Sequence, residues 1–326
     1  MTTLVTGATG HVGVNLVREL LREGRKVRVF MRTDVHYLDG LDVEIMRGDV
    51  RDADAVKKAV RGADVVYHLA AHISITRGEA HIVRGCNIEG PRNIVRACLD
   101  EEVRRLVHFS SIHALSVFPR DGVVDETRAL ASDQEGVPHY DRSKAMGERE
   151  IKLGLERGLD VVTVNPTAVV GPHDHRPSAM GAVLLDLYHG RLPSLIDGGF
   201  DWVDVRDVVS GAMAAEARGR KGERYLLSGR WLSVRDLAGL VEEVTGKRAP
   251  RLVCPMWVAR AAAPFAEAFA AALGKQPLFT SAALHALRNH RHISSKKAGD
   301  ELGYSSRPTR DTVTDTLAWF REAKVI

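Results

Sequence analysis

The chain has 326 residues and a mass of 35.7 kDa, with 44% apolar, 27% charged and 6% aromatic residues. This composition excludes disordered, collagen-like and low-complexity classes and leaves room for one large domain or a domain with a smaller lobe. With 46 Lys plus Arg against 42 Asp plus Glu, the formal charge is +4, spread along the chain with no basic block, so nucleic acid is not an expected partner.

Three cysteines, Cys86, Cys98 and Cys254, show no CxxC spacing and read as small buried hydrophobes in a reducing compartment. The N-terminus has no basic stretch followed by a long apolar run, and no uncharged apolar segment is long enough to cross a bilayer. A cytoplasmic protein with no membrane partner is the expectation. The most apolar stretch, Trp257 to Leu273, carries Arg260, Pro264 and Glu267. It reads as a helix packed on its own domain, with docking on a membrane surface as the minor alternative.

Short β-branched runs alternate with helical patterns through the first half, as in βαβ units with a parallel sheet. The strands are predicted at Thr2 to Val5, Lys26 to Phe30, Val43 to Met46, Val65 to Leu69, Leu106 to Phe109 and Val161 to Val164. Between the first two, Val14, Val17, Leu20 and Leu21 keep a helical apolar stripe that Gly24 ends. From about Gly171 prolines punctuate the chain, and after Arg220 helical patterns dominate. The predicted fold is α/β, a doubly wound parallel sheet (Rossmann fold) over residues 1–170, followed by a smaller, mostly helical substrate lobe over 171–326. Residues 200–228, with strands at Trp202 to Val205 and Arg224 to Leu227, are expected to return to the first domain.

The segment TGATGHVG sets Gly7, Gly10 and Gly13 three apart where the first strand turns into a helix. There the first glycine takes a tight turn, the second lets backbone approach a pyrophosphate and the third allows close helix-to-strand packing. At the end of the second strand, where an acid would bond a ribose hydroxyl, Met31 is followed by Arg32. That favours NADP(H) over NAD(H), although Asp34 stands close enough to reach a ribose and Arg32 is also compatible with a solvated surface residue.

Tyr140 and Lys144 are four residues apart and stack on one face if the segment is helical. A neighbouring cation lowers a phenol pKa toward the range of a usable acid/base. Ser110 and Ser111 follow the fifth strand, whose end opens on the ligand crevice of a doubly wound sheet. Ser111 is taken as the hydroxyl that holds a substrate oxygen, with Ser110 as the fallback.

The set TGATGHVG, GDVRD (48–52), HLAA (68–71), NIEGPRN (87–93), FSSIHAL, YDRSK, NPTAVVGP (165–172) and WVDVRDV (202–208) resembles the extended short-chain dehydrogenase/reductase, or NAD-dependent epimerase/dehydratase, family. The resemblance covers nearly the whole chain. Within the family it is most similar to the dihydroflavonol-reductase-like branch, which includes hopanoid-associated sugar epimerases. It implies that Gly7, Thr9, Gly10, His11, Val12 and Gly13 bind the pyrophosphate, with Asp49 and Val50 at the adenine. It also implies Leu69, Ala70 and Ala71 along the nicotinamide, Ser110 nearby, and Pro166 with Thr167 at its amide. Lys144 would hold the nicotinamide ribose as well as tune Tyr140. Asn87 would join helix to strand, and Asp204 would fasten the lobe to the sheet. A homodimer through helices near Asn87 to Cys98 and Tyr140 to Glu156 is also implied.

The expected activity is NADP(H)-dependent reduction of a ketone or aldehyde on a small, fairly apolar molecule, with Ser111, Tyr140 and Lys144 as catalytic residues. A nucleotide-sugar 4-epimerase with tightly held NAD is the alternative, supported by Asn165 before Pro166; a dinucleotide-sensing regulator without turnover is the third reading. His72, His113 and Asn165 are candidate substrate contacts, the two histidines equally readable as loop residues. His173-Asp174-His175 lacks a third ligand, so no metal is expected there. His285, His290, Arg291 and His292 read as surface or hinge. The turn before Trp202 offers Phe200 and Trp202, which either pack or border the substrate.

Overall fold

A computed structural model describes residues 1–74, 77–120, 122–131, 137–272, 284, 287 and 291–326. Leu273, His285 and His290 lie outside the described residues. The six β-branched runs become β1 (Thr2–Thr6), β2 (Lys26–Met31), β3 (Val43–Arg47), β4 (Val65–His68), β5 (Arg105–Phe109) and β6 (Val161–Pro166). After β7 (Ala168–Val170), β8 (Leu195–Ile196) and β9 (Gly199–Asp204), the strand β10 (Arg224–Leu227) returns beside β6. The sheet order is β10-β6-β5-β4-β1-β2-β3, and every neighbouring pair is parallel.

Parallel neighbours need crossovers, and helices on both faces supply them. In chain order these are α1 (His11–Arg22), α2 (Ala53–Val60), α3 (Ala80–Arg84), α4 (Gly90–Asp100), α5 (His139–Glu156), α6 (Ala179–His189) and α7 (Val205–Arg218). On one face Val14, Val17 and Leu20 of α1 join Val208 and Ala212 of α7 against Val5, Val29 and Tyr67. On the other, Val56, Ile94 and Ile151 of α2, α4 and α5 meet Leu4, Val66 and Leu106. Each such fully buried side chain contributes about 1.5–3 kcal/mol of apolar transfer.

One row breaks the apolar pattern. Thr6, His68, His108 and Thr163 are register partners on four adjacent strands, all buried, each two residues beyond an apolar residue of the α2–α4–α5 face. His68 Nδ1 and Thr6 Oγ1 are hydrogen-bonded at 2.8 Å, and the His68 and His108 rings stack at 5.5 Å. Neither ring nitrogen of His108 has a partner among the described residues. Burial, with the nearby Lys144 charge, pulls His68 down to about 3 and His108 well below its ordinary value, so both rings are neutral.

Of the segment 200–228, α7 and β10 pack with the main sheet, whereas the strand around Trp202 joins a different one. β6 ends at Pro166, which has no N–H to extend a ladder, and the chain moves into a separate sheet of order β11-β9-β7, where β11 is Arg230–Ser233. Helices α6, α8 (Val234–Thr245) and Thr309–Glu322 gather with that sheet around Trp202, Leu184, Leu237 and Phe320. Asp204 caps α7 through the Arg206 N–H and pairs with the Arg206 guanidinium, which reaches Asp315 of the last helix at 2.7 Å. Farther on, β12 (Val253–Cys254) pairs with β8 and leads into α9 (Met256–Ala272). Cys86 and Cys98 are buried; Cys254 is only half-buried, at the short β8–β12 ladder.

Candidate active site

The glycine turn is locked by close approach. Gly7 has φ +72, and a Cβ there would lie 2.7 Å from the Ala70 nitrogen; a Cβ on Gly13 would lie 2.1 Å from the Gly7 carbonyl oxygen. Above Gly10, by contrast, a Cβ would meet only the Gly7 carbonyl oxygen, at 3.4 Å, among the described residues beyond its chain neighbours, and no described side chain caps the start of α1. Exposed N–H groups at a helix start with open space over the glycine suit a pyrophosphate. A cleft of about 520 Å³ opens there, at the C-terminal ends of the strands.

Gly7, Thr9, Gly10, His11, Val12 and Gly13 line this cleft, as do Arg32, Asp49, Val50, Leu69, Ala70 and Ala71. Ser110, Ser111, Tyr140, Lys144, Pro166 and Thr167 complete that wall, and the buried Ser110 Oγ has no partner among the described residues. The open turn, the uncapped helix and this orphan hydroxyl fit a nicotinamide dinucleotide. At the far end, Arg32 Nη1 stands 3.8 Å from Asp49, whose carboxylate is already bound at 2.7 Å by Arg51. Asp34, the residue that could have reached a ribose, is instead paired with Arg47 at 2.7 Å and does not line the cleft. Beyond its backbone, the His11 ring bonds the Gly171 and Pro172 carbonyls, a tie that nothing local in the sequence signals.

Ser111, Tyr140 and Lys144 converge on the same wall, the last two one helical turn apart on α5. Lys144 Nζ donates to the Phe109 carbonyl at 3.0 Å. Burial pulls Lys144 down to about 8, while the Glu148 carboxylate one turn on works the other way. The expectation that Lys144 lowers the Tyr140 pKa is corrected by the geometry. Burial and the adjacent Asp141 charge push the phenol up, a hydrogen bond with Ser111 opposes them, and the Lys144 charge is not among the causes. Tyr140 is therefore protonated across the neutral range, the state of a proton donor.

The three candidate substrate contacts separate. His113 lines the cleft, its Nδ1 3.3 Å from Asp141 and its ring edge-on to Tyr140 at 5.8 Å between centroids. Burial opposes a charge on this ring, but the Asp141 bond and charge outweigh it and raise the pKa. His72 is not on the cleft: its ring bonds Glu79 at 2.9 Å and its N–H is held by Asn87. Asn165 is fully buried away from the cleft, its amide donating to the Ser111 carbonyl at 2.9 Å and to Glu148 at 2.7 Å. It supports the wall from behind. Asn87 likewise joins His72 to Ser143 of α5. His175 stacks on Tyr37 at 4.3 Å between centroids, and His173 packs against Trp319 with the ring planes tilted.

Sequence reasoning missed most of the opposite wall. Met180, Phe200, Asp201 and Ile293 line it, from three segments far apart in the chain. Ile293 arrives because Val124 pairs with it, the Val124 N–H donating to the His292 carbonyl at 2.7 Å. Trp202, two residues from Phe200, turns inward and is 2% exposed.

The family model described as NAD dependent epimerase/dehydratase matches residues 3–228. The chain belongs to the NAD-dependent epimerase/dehydratase family. A sterol demethylase protein B of Methylococcus capsulatus is 40% identical over the full length of both chains. A 4-hydroxy-2-methyl-3-oxo-4-farnesyl-3,4-dihydroquinoline-1-oxide ketoreductase of Stigmatella aurantiaca is 29% identical, with 97% of this chain and 96% of that protein covered. Among solved structures, a nucleoside-diphosphate-sugar epimerase from Pseudomonas aeruginosa superposes with a TM-score of 0.80 at 26% identity, covering 99% and 98% of the two chains. This member of the epimerase/dehydratase family is thus an NAD(P)-dependent enzyme of short-chain dehydrogenase/reductase type, and the reading as a sensor without turnover is set aside. No helix among its described residues is long and apolar enough to cross a membrane.

Proposed function

We propose that the enzyme reduces a ketone or aldehyde on an apolar molecule with NADPH. The observation that carries this reading is a protonated phenol, Tyr140, beside Ser111 in a cleft whose opposite wall offers Met180, Phe200 and Ile293. A wall of that kind suits an apolar substrate better than a sugar diphosphate. Arg32 is the group suited to a 2′-phosphate, and Asp34, committed to Arg47, leaves no acid at the strand end to prefer a free ribose hydroxyl. The glycine turn and the start of α1 would hold the pyrophosphate, and Lys144 the nicotinamide ribose.

A bound nicotinamide dinucleotide supplies the hydride. Ser111 Oγ holds the substrate oxygen, and the Tyr140 hydroxyl gives its proton to that oxygen as charge develops on it. Asn165 and Glu148 fix the Ser111 carbonyl and α5 from behind. The enzyme acts as a homodimer through α4 and α5.

The epimerase reading is the second one, favoured by the similarity to the nucleoside-diphosphate-sugar epimerase. The Asn-Pro pair lends it less support, since the Asn165 NH2 donates to the Ser111 carbonyl and to Glu148 and the side chain does not line the cleft. Denaturing the purified protein and identifying released dinucleotide separates the two: NAD carried through purification supports epimerisation, whereas an empty site with NADPH preference supports reduction. In the latter case Tyr140→Phe loses about a thousandfold or more in kcat while NADPH still binds by fluorescence titration. Retained turnover in that variant sinks the assignment.

A further inference from the structure

The stretch 247–265 combines charge and exposure in a way the catalytic reading does not use. It holds Lys247, Arg248, Arg251 and Arg260 and no acidic residue. Arg251 pairs with Glu242 and Lys247 lies over the Tyr188 ring, while Arg248 and Arg260 project from the surface with no ion pair among the described residues. In the same stretch Leu252 is 72% exposed, Trp257 74% and Phe265 78%.

Of these side chains, Trp257, Arg260 and Phe265 lie on α9, whereas Lys247, Arg248, Arg251 and Leu252 stand on the segment leading into it. Trp257, Ala261 and Phe265 follow one another at four-residue spacing, flanked by Arg260 and Pro264, and all five are exposed. The opposite side, Ala259 and Ala263, is buried against Phe200, Ile196 and Val234. Phe200 is a wall of the cleft. One helix therefore covers the substrate end with its inner side and shows solvent an aromatic, cationic outer side. Exposed Trp and Phe among basic residues, with no acid interposed, are complementary to the interface of an anionic bilayer, where the rings enter the headgroup region and the cations meet phosphates.

We propose that the outer face of α9, with Trp257, Arg260 and Phe265, together with the exposed Arg248 and Leu252 of the segment leading into it, docks peripherally on an anionic lipid surface. This revises the expectation that no membrane takes part, and it stands independently of the reaction. Docking would bring the substrate end of the cleft to the source of apolar molecules.

The test is flotation of the intact protein with vesicles of phosphatidylcholine alone and of phosphatidylcholine with phosphatidylglycerol. Binding to the anionic vesicles alone is the expected result, weakening several-fold as salt rises from about 0.1 to 0.5 M. Trp257 is the most exposed of the four tryptophans, so its emission should shift to the blue on binding, and Trp257→Phe should remove the shift. Trp257→Ser with Phe265→Ser should cut partitioning about tenfold or more, and Arg248→Glu with Arg260→Glu should do the same, with thermal unfolding and dinucleotide titration unchanged. No flotation, or flotation undiminished in either double variant, overturns the proposal. So does sedimentation showing that the aromatic face joins two copies of the chain and that Trp257→Ser with Phe265→Ser separates them.

Discussion

The two ends of the cleft are built differently. The pyrophosphate-binding part of the dinucleotide end comes from one continuous βαβ unit, Thr2 to Met31, in which the glycine turn, α1 and the strand that Arg32 follows succeed one another within about thirty residues. The substrate end is assembled from Ile112 and His113, Met180, Phe200 with Asp201, and Ile293, which are neighbours only after the second sheet and α9 have packed. A local unit confines its sterics to a few backbone atoms; a composite wall distributes them. Substitutions of the turn glycines should therefore be all-or-none, and those at the second end graded.

The largest effect should come from Gly13→Ala. Its Cβ meets a backbone oxygen that cannot rotate away, so the turn must open, at a cost of about 3 kcal/mol or more, and dinucleotide titration should show no binding. Normal NADPH affinity in that variant would erase the contrast. Arg32→Ala should weaken NADPH binding by about 10- to 100-fold and leave NADH binding unchanged, since only the phosphate loses a charge-assisted partner. At the other end, Phe200→Ala should raise KM about tenfold for an apolar carbonyl substrate at constant NADPH affinity.

The smallest effect concerns the sheet between the two ends. His68, at about 3, and His108, held well below its ordinary value by burial, are neutral in the fold but titrate near 6.5 when unfolded. The unfolded chain binds more protons below that pH, so stability is full above about 6.5 and falls as pH drops toward the folded values, by up to about 1.4 kcal/mol per pH unit for each ring. Thermal unfolding scanned from pH 7 to 4.5 reads this slope, and His108→Leu should flatten it. An unchanged slope in the variant would assign the acid sensitivity to carboxylates.

What the sequence disclosed follows the same division. Strand positions in the first half were legible because parallel central strands are continuous apolar runs. The glycine turn, Ser111, Tyr140 and Lys144 were legible because their chemistry needs fixed spacing. Asn165 was misread because its neighbour Pro166 lines the cleft while the side chain before it points to the other face of β6. The phenol pKa was misread because burial and Asp141, rather than the ammonium four residues away, dominate it. Phe200 and Trp202 share one face of β9, and nothing local told which would border the cleft, since that depends on how the lobe packs around them.

The position of β10 has a consequence for how the protein is made. By the time Pro166 leaves the ribosome, six of the seven sheet strands exist, but β6, with every residue of Val161–Pro166 buried in the finished fold, has a bare edge until Arg224–Leu227 arrives. A nascent or proteolysed chain ending between 166 and 224 therefore presents an apolar, unpaired strand to other molecules. Such fragments should aggregate, whereas those extending past 227 close the edge within their own chain.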